Sequence, residues 1–201
     1  MMPQENVEPS CTCQREIDIL FSRIATSTSL TFEEVLNIES QFMGLFETTK
    51  ACKICSSDIF FIHTFLKFSN QLLLLLEAAE TIYPGENSNL YDTTNEHLRP
   101  ASTTSRIPAL AVRTCRRSQI TFGRLILSGD ESILIARHLL RTSLFRLHDL
   151  LGVIQLYMDE FIAAADWGRS RQVGKEFQEL EILLSSTSAQ VWTALGRIEI
   201  K

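Results

Sequence analysis

Glycine and proline are scarce in this chain of 201 residues, with 8 and 5 residues respectively. That scarcity argues against a many-turned β-sandwich and favours long, uninterrupted elements. A net basic charge is also lacking, because 19 Lys and Arg stand against 24 Asp and Glu. The resulting charge of −5 argues against a protein that coats DNA. Hydrophobic residues make up 45% of the chain, which is the composition of a globular domain.

Signals for secretion and membrane insertion are weak or missing. No basic start and no apolar stretch precede Cys11, so we expect no secretory signal peptide. Residues 59–76 are apolar enough to span a bilayer, but they include His63 and Lys67. We therefore expect a buried core helix there and no membrane partner. The odd number of cysteines, 5, favours reduced thiols in a nucleocytoplasmic protein over disulfides.

Catalytic motifs are also lacking. The sequence has no glycine-rich phosphate loop, no Gly-x-Ser-x-Gly and no His-Glu-x-x-His. We therefore expect no enzyme, no catalytic residue and no cofactor. One alternative stays open, because a helical pocket can act through shape and hydrogen bonds alone. Such a pocket would be lined by His63, Phe65, His138 and Arg141. It would lie between the third of the predicted helices and a helical hairpin predicted for residues 119–201, both described below.

What the sequence does contain is helical periodicity, which predicts an all-α bundle of about five main helices. Residues 10–83 form a predicted three-helix N-terminal part. Ser10 is the expected cap of its first helix, and Thr31 with Glu34 forms a capping box that opens the second. The third helix is apolar nearly all round, so its neighbours should surround it.

Residues 119–201 are predicted to form a long antiparallel helical hairpin that packs on the first part. Two heptad-like seams, separated by a break at 166–168, require partner helices and should pack against each other. The first seam consists of Leu140, Leu144, Leu147, Leu151, Ile154, Met158 and Phe161, and the second of Val173, Phe177, Leu180, Leu184, Thr187, Val191 and Leu195.

Between the two parts, residues 84–118 are predicted to be a flexible, basic connector rich in Ser, Thr and Arg. From His97 to Gly129 there are six arginines and no acidic residue. Two interpretations stay open, a solvated segment or contact with nucleic acid through Arg113, Arg116 and Arg117.

Two cysteine pairs, Cys11-x-Cys13 and Cys52-x-x-Cys55, are weak candidates for a tetrahedral zinc site. A helix that begins at Ser10 would place Cys11 and Cys13 about 200° apart around its axis. Only a non-helical Cys11–Cys13 segment would bring both thiols to one metal ion. The sequence therefore favours buried core thiols, and we assign no metal at this stage.

The order of several segments resembles one known family. Cys11-Thr12-Cys13 precedes an amphipathic helix, and residues 52–56 precede a Leu-rich helix that ends at residues 80–83. Residues 120–127, the Gly129-Asp130-Glu131 cap and residues 139–147 follow. Together, over about residues 11–199, they are similar to the C-terminal regulatory region of fungal binuclear zinc-cluster transcription factors of the aflatoxin-regulatory-protein type. The DNA-binding module of that family has six cysteines in a basic segment, and the five cysteines here cannot supply it.

The resemblance implies a regulatory or interaction domain of a secondary-metabolite gene-cluster regulator. Such a domain would act in the nucleus through protein partners, either a second copy or a companion regulator. It would reach DNA only indirectly. The alternative is a standalone enzyme or small-molecule binder of a biosynthetic cluster that reuses the same helical fold.

Overall fold

Helices dominate the computed structural model, which describes residues 11–27, 29–55, 59–83, 114–122, 124–164 and 171–198. The described residues form a helical bundle, so the predicted all-α class is confirmed. The bundle contains α1 (Cys13–Thr26), α2 (Phe32–Lys50), α3 (Ile59–Ile82), α4 (Gly129–Ala164) and α5 (Arg171–Arg197).

The first two helices differ in how they begin. α1 starts at Cys13 rather than at the expected Ser10 cap, and Thr12 precedes it without a side-chain capping bond. α2 starts with the predicted capping box. The Glu34 N–H donates to the Thr31 hydroxyl at 3.3 Å, and the Thr31 N–H donates to the Glu34 carboxylate at 2.7 Å. Both bonds satisfy N–H groups that a helix start would otherwise leave unpaired.

α3 is the central helix, and it packs against α2, α4 and α5. Its aromatic side chains form the core with α2, where the Phe42 ring stacks on Phe65 at 5.4 Å and on Phe68 at 4.2 Å. By length and composition alone α3 is able to cross a membrane. In this fold, 56% of its apolar 18-residue window is buried inside the protein. Phe60 and Leu74 remain 52% and 38% exposed, so the neighbouring elements surround α3 less completely than predicted.

The two C-terminal helices bury their seams against α3 and each other. Phe161 contacts Phe177 with ring centroids 6.0 Å apart, and His148 contacts Trp192 at 4.7 Å. These pairs are consistent with the antiparallel direction expected for α4 and α5. Residues 165–170, which connect the helices, and the Val173 side chain lie outside the described part.

Short strands are the feature that periodicity did not predict. Strand β1 (Ser29–Thr31) pairs in parallel with β2 (Thr114–Arg116), and β3 (Thr121–Phe122) pairs antiparallel with β4 (Leu125–Ile126). β2 falls within the connector predicted to be flexible, of which residues 84–113 lie outside the described residues. The Tyr83 hydroxyl, directly after α3, donates to the Ser118 carbonyl at 3.1 Å and so links the end of α3 to the residues that follow β2.

Candidate functional site

Four cysteines meet where α1 begins and α2 ends. The helices lie side by side, and Arg23 Nη1 of α1 donates to Gln41 Oε1 of α2 at 2.7 Å. About three turns away, Cys13 at the start of α1 interacts with Thr49 near the end of α2. The turn after α2 carries Cys52 and Cys55, so the packing of α1 on α2 brings both cysteine pairs to the same place.

The sulfur atoms of Cys11, Cys13, Cys52 and Cys55 all lie within 4.8 Å of one another. Cys11 Sγ is 3.0 Å from Cys55 Sγ, a contact across 44 residues of sequence. The Cys13 side chain is buried, and the other three are half-buried. This cluster, which we call the four-cysteine cluster, combines soft ligands with partial protection from solvent.

The protein environment shifts the cysteine pKa values in opposite directions. The backbone N–H groups of Cys55 and Ile54 donate to the Cys52 sulfur and lower the pKa of Cys52 to about 7. Burial raises the pKa of Cys13, and burial together with the neighbouring thiols raises the pKa of Cys55. Removing a proton is therefore easier at Cys52 than at Cys13 or Cys55, because two N–H dipoles stabilise the Cys52 thiolate.

The geometry of the cluster removes the objection raised by the sequence. Because α1 begins at Cys13, Cys11 lies outside the helix, and the 200° separation of a continuous helix does not apply. Cys13 is the first residue of the helix and Cys11 lies before its cap, so the two side chains can turn towards the same point. The preference for separate core thiols came from placing the helix start at Ser10.

The residues proposed for a ligand pocket differ in burial and do not share the lining of the space beside Phe65. Phe65 is fully buried in the aromatic core, whereas His138 is exposed on α4. The Arg141 guanidinium lies over the Phe145 ring, 5.5 Å from its centroid. The interior space beside Phe65 does not admit a water molecule, and His63, His138 and Arg141 are not part of its lining.

A larger depression lies at the surface, at the start of α4. It is open, has a volume of about 370 Å³, and is bordered by Arg117, Ser118 and Ser132, among others. None of the predicted pocket residues lines it. Neither of these two spaces among the described residues is lined by the predicted set of pocket residues.

The three arginines considered for nucleic-acid contact have different positions. Arg113 lies outside the described residues, and Arg116 is exposed in β2. Arg117 lies over the Tyr83 ring, 5.3 Å from the centroid, and its Nη2 donates to the Ser132 hydroxyl at 3.2 Å. These contacts give Arg117 a role in attaching the segment after β2 to α3 and α4.

An exposed aromatic surface lies across α4 and α5. Phe145 is 41% exposed and Trp192 is 55% exposed. His148, three residues after Phe145 on α4, contacts the Trp192 ring. We call Phe145, His148 and Trp192 the aromatic strip. Sequence analysis did not single out Phe145, although its position one residue after Leu144 places it off the buried seam of α4.

No family model, curated protein or solved structure matches this chain.

Proposed function

We propose that the chain is a regulatory, protein-binding domain of a fungal secondary-metabolite gene-cluster transcription regulator. It acts in the nucleus through a protein partner, either a second copy or a companion regulator, and reaches DNA only through that partner. The proposal rests on the family resemblance for the biological setting and on the aromatic strip for the mode of action.

The aromatic strip is the observation that carries the binding role. Aromatic side chains are enriched at the centres of protein interfaces, and the few residues that dominate the binding energy are often Trp, Tyr or Arg. Arg141 lies at one end of the strip, over the Phe145 ring. A helical partner segment with apolar side chains and a carboxylate would match this combination of rings and positive charge.

Transcript measurements test the proposal directly. In a strain that lacks the gene, we expect transcripts across one metabolite cluster to fall, and the wild-type gene to restore them. A Phe145→Ala, Trp192→Ala double variant should fail to restore them, because truncating aromatic hot spots costs about 2 kcal/mol or more and weakens partner binding by about 30-fold. Circular dichroism should show unchanged thermal unfolding, since both side chains are exposed.

Ile19→Ala is the matched control, because Ile19 is 51% exposed on α1, away from the aromatic strip. It should restore transcripts fully. Intact transcripts in the deletion strain, with accumulation of a biosynthetic intermediate, would contradict regulation and favour the standalone enzyme. Normal transcripts with the double variant would show that the aromatic strip is not the binding surface.

A further inference from the structure

We propose that the four-cysteine cluster binds one structural zinc ion through the thiolates of Cys11, Cys13, Cys52 and Cys55. The site would join the start of α1 to the turn between α2 and α3. It is a property separate from the regulatory role, and it would stand whether or not the aromatic strip binds a partner.

The distances suit a single tetrahedral ion. Zinc–sulfur bonds of about 2.3 Å place the four sulfur atoms of a regular tetrahedron about 3.8 Å apart. In the structure, the Cys11 and Cys55 sulfur atoms are 3.0 Å apart, and all four sulfur atoms lie within 4.8 Å of one another. Side-chain shifts of about 1 Å or less convert this arrangement into the regular one.

The backbone around Cys52 supports a ligand turn. The N–H groups of Ile54 and Cys55 both donate to the Cys52 sulfur. Such bonds orient a thiolate ligand and stabilise its charge, which is the task of groups around a metal site. Cys52 and Cys55 also have the two-residue spacing that is common among structural zinc ligands.

The charge of the complete site is also accommodated. Each thiol that binds loses its proton to solvent, so four thiolates and one Zn²⁺ leave a net charge of −2. The N-terminus of α1 carries a partial positive charge beside Cys13, and Lys50 and Lys53 flank Cys52 in the sequence. Four thiolates in a tetrahedron favour zinc over Mg²⁺ or Ca²⁺, which prefer oxygen ligands.

The structural consequence is a cross-link between distant residues. Cys11 and Cys55 are separated by 44 positions, and the segment between them contains α1 and α2. Metal binding would therefore stabilise the packing of α1 on α2. Removing the ion by chelation should lower the thermal midpoint by about 5–10 °C if free zinc exceeds its dissociation constant about 100-fold.

The primary test is metal analysis of the 201-residue chain, purified under reducing conditions with added zinc and then dialysed. We expect about one zinc per chain in wild type and less than about a tenth of that in a Cys52→Ser, Cys55→Ser double variant. Cys115→Ser is the matched control, because Cys115 lies in β2 opposite Leu30 and outside the four-cysteine cluster. It should retain the wild-type zinc content.

A second measurement uses wild type alone, so it does not depend on the folding of a variant. Zinc should slow alkylation of the four cluster cysteines, and chelation should restore their reactivity, whereas Cys115 should react at the same rate in both states. Co²⁺ added to the chelated protein should give the absorption of a tetrahedral thiolate complex. Four reactive thiols in the presence of zinc, disulfides among these cysteines under reducing conditions, or iron in place of zinc would each overturn the proposal.

Discussion

Replacement of the buried Glu39 by methionine is expected to stabilise the protein at neutral pH. The Glu39 side chain on α2 is 3% exposed, and its Oε1 atom has no hydrogen-bond partner among the described residues. Sequence analysis did not identify its partner, Arg146 on α4, which lies 3.6 Å away and is 59% exposed. Methionine has a similar length and fills the same space without a charge.

The magnitude follows from two opposing contributions. A Coulomb attraction over 3.6 Å is about 1 kcal/mol at the dielectric constant of water, the relevant limit for a guanidinium in solvent. A buried oxygen without a hydrogen bond costs about 1–3 kcal/mol, and a charged oxygen costs more. Burial accordingly raises the pKa of Glu39 more than Arg146 lowers it. We expect Glu39→Met to add about 1 kcal/mol to the free energy of unfolding and about 2–4 °C to the thermal midpoint.

The pH dependence of this gain distinguishes a charge effect from a packing effect. Because the folded-state pKa of Glu39 is raised above 4.5, the folded protein binds the proton more tightly than the unfolded chain. The stability gained from protonating Glu39 is complete below the pKa of this group in the unfolded chain and is lost as the pH rises through its pKa in the folded protein. The advantage of Glu39→Met should therefore be present at neutral pH and shrink as the pH falls towards 4.5.

Urea unfolding followed by circular dichroism, at neutral pH and at pH 4.5, measures both effects. Glu47→Met is the matched control, because the Glu47 side chain on the same helix is 69% exposed. It should change stability by less than about 0.5 kcal/mol. A Glu39→Met variant that is less stable than wild type by the same amount at both pH values would refute the reasoning, because the carboxylate would then be a net stabiliser.

Three further predictions concern the capping hydroxyl of α2, the capping carboxylate of α2 and the buried face of α4, and urea unfolding checks each of them. Thr31→Ala removes the capping hydroxyl of α2 and should cost about 1 kcal/mol. The Thr31 N–H holds the pKa of Glu34 below 4.5. The Glu34 carboxylate should therefore contribute to the free energy of unfolding above pH 4.5, and this contribution should be lost as the pH falls through the folded-state pKa. The Glu34→Gln variant should lack this pH dependence. Leu144→Ala should cost about 2–5 kcal/mol because Leu144 is 1% exposed, whereas Leu156→Ala, at a position 62% exposed, should change stability by less than about 0.5 kcal/mol. A loss at Leu156 that equals the loss at Leu144 would contradict the assigned packing of α4.

Local sequence signals were sufficient for much of the fold. The Thr31 and Glu34 pair lies within four residues of sequence, so its capping geometry depends on the local chain alone. The buried seams of α4 and α5 could be predicted because helical periodicity places the apolar residues of each helix on one face. Leu147 of α4 and Leu184 of α5 are examples, and both are buried. The start of α1 was misplaced because Ser10 and Thr12 are both residue types that precede helices, and short-range chemistry does not choose between them.

The sequence alone therefore determined the all-α class, the buried faces and the two cysteine pairs as weak metal candidates. Only the tertiary structure decided that Cys11 and Cys13 meet Cys52 and Cys55, since that requires α1 to begin at Cys13 and to pack beside α2. The pairing of Leu30 with Cys115 likewise depends on chain segments that are 85 positions apart. Periodicity reports which face of an element is buried, whereas contacts between distant residues depend on how the elements pack, which no local pattern encodes.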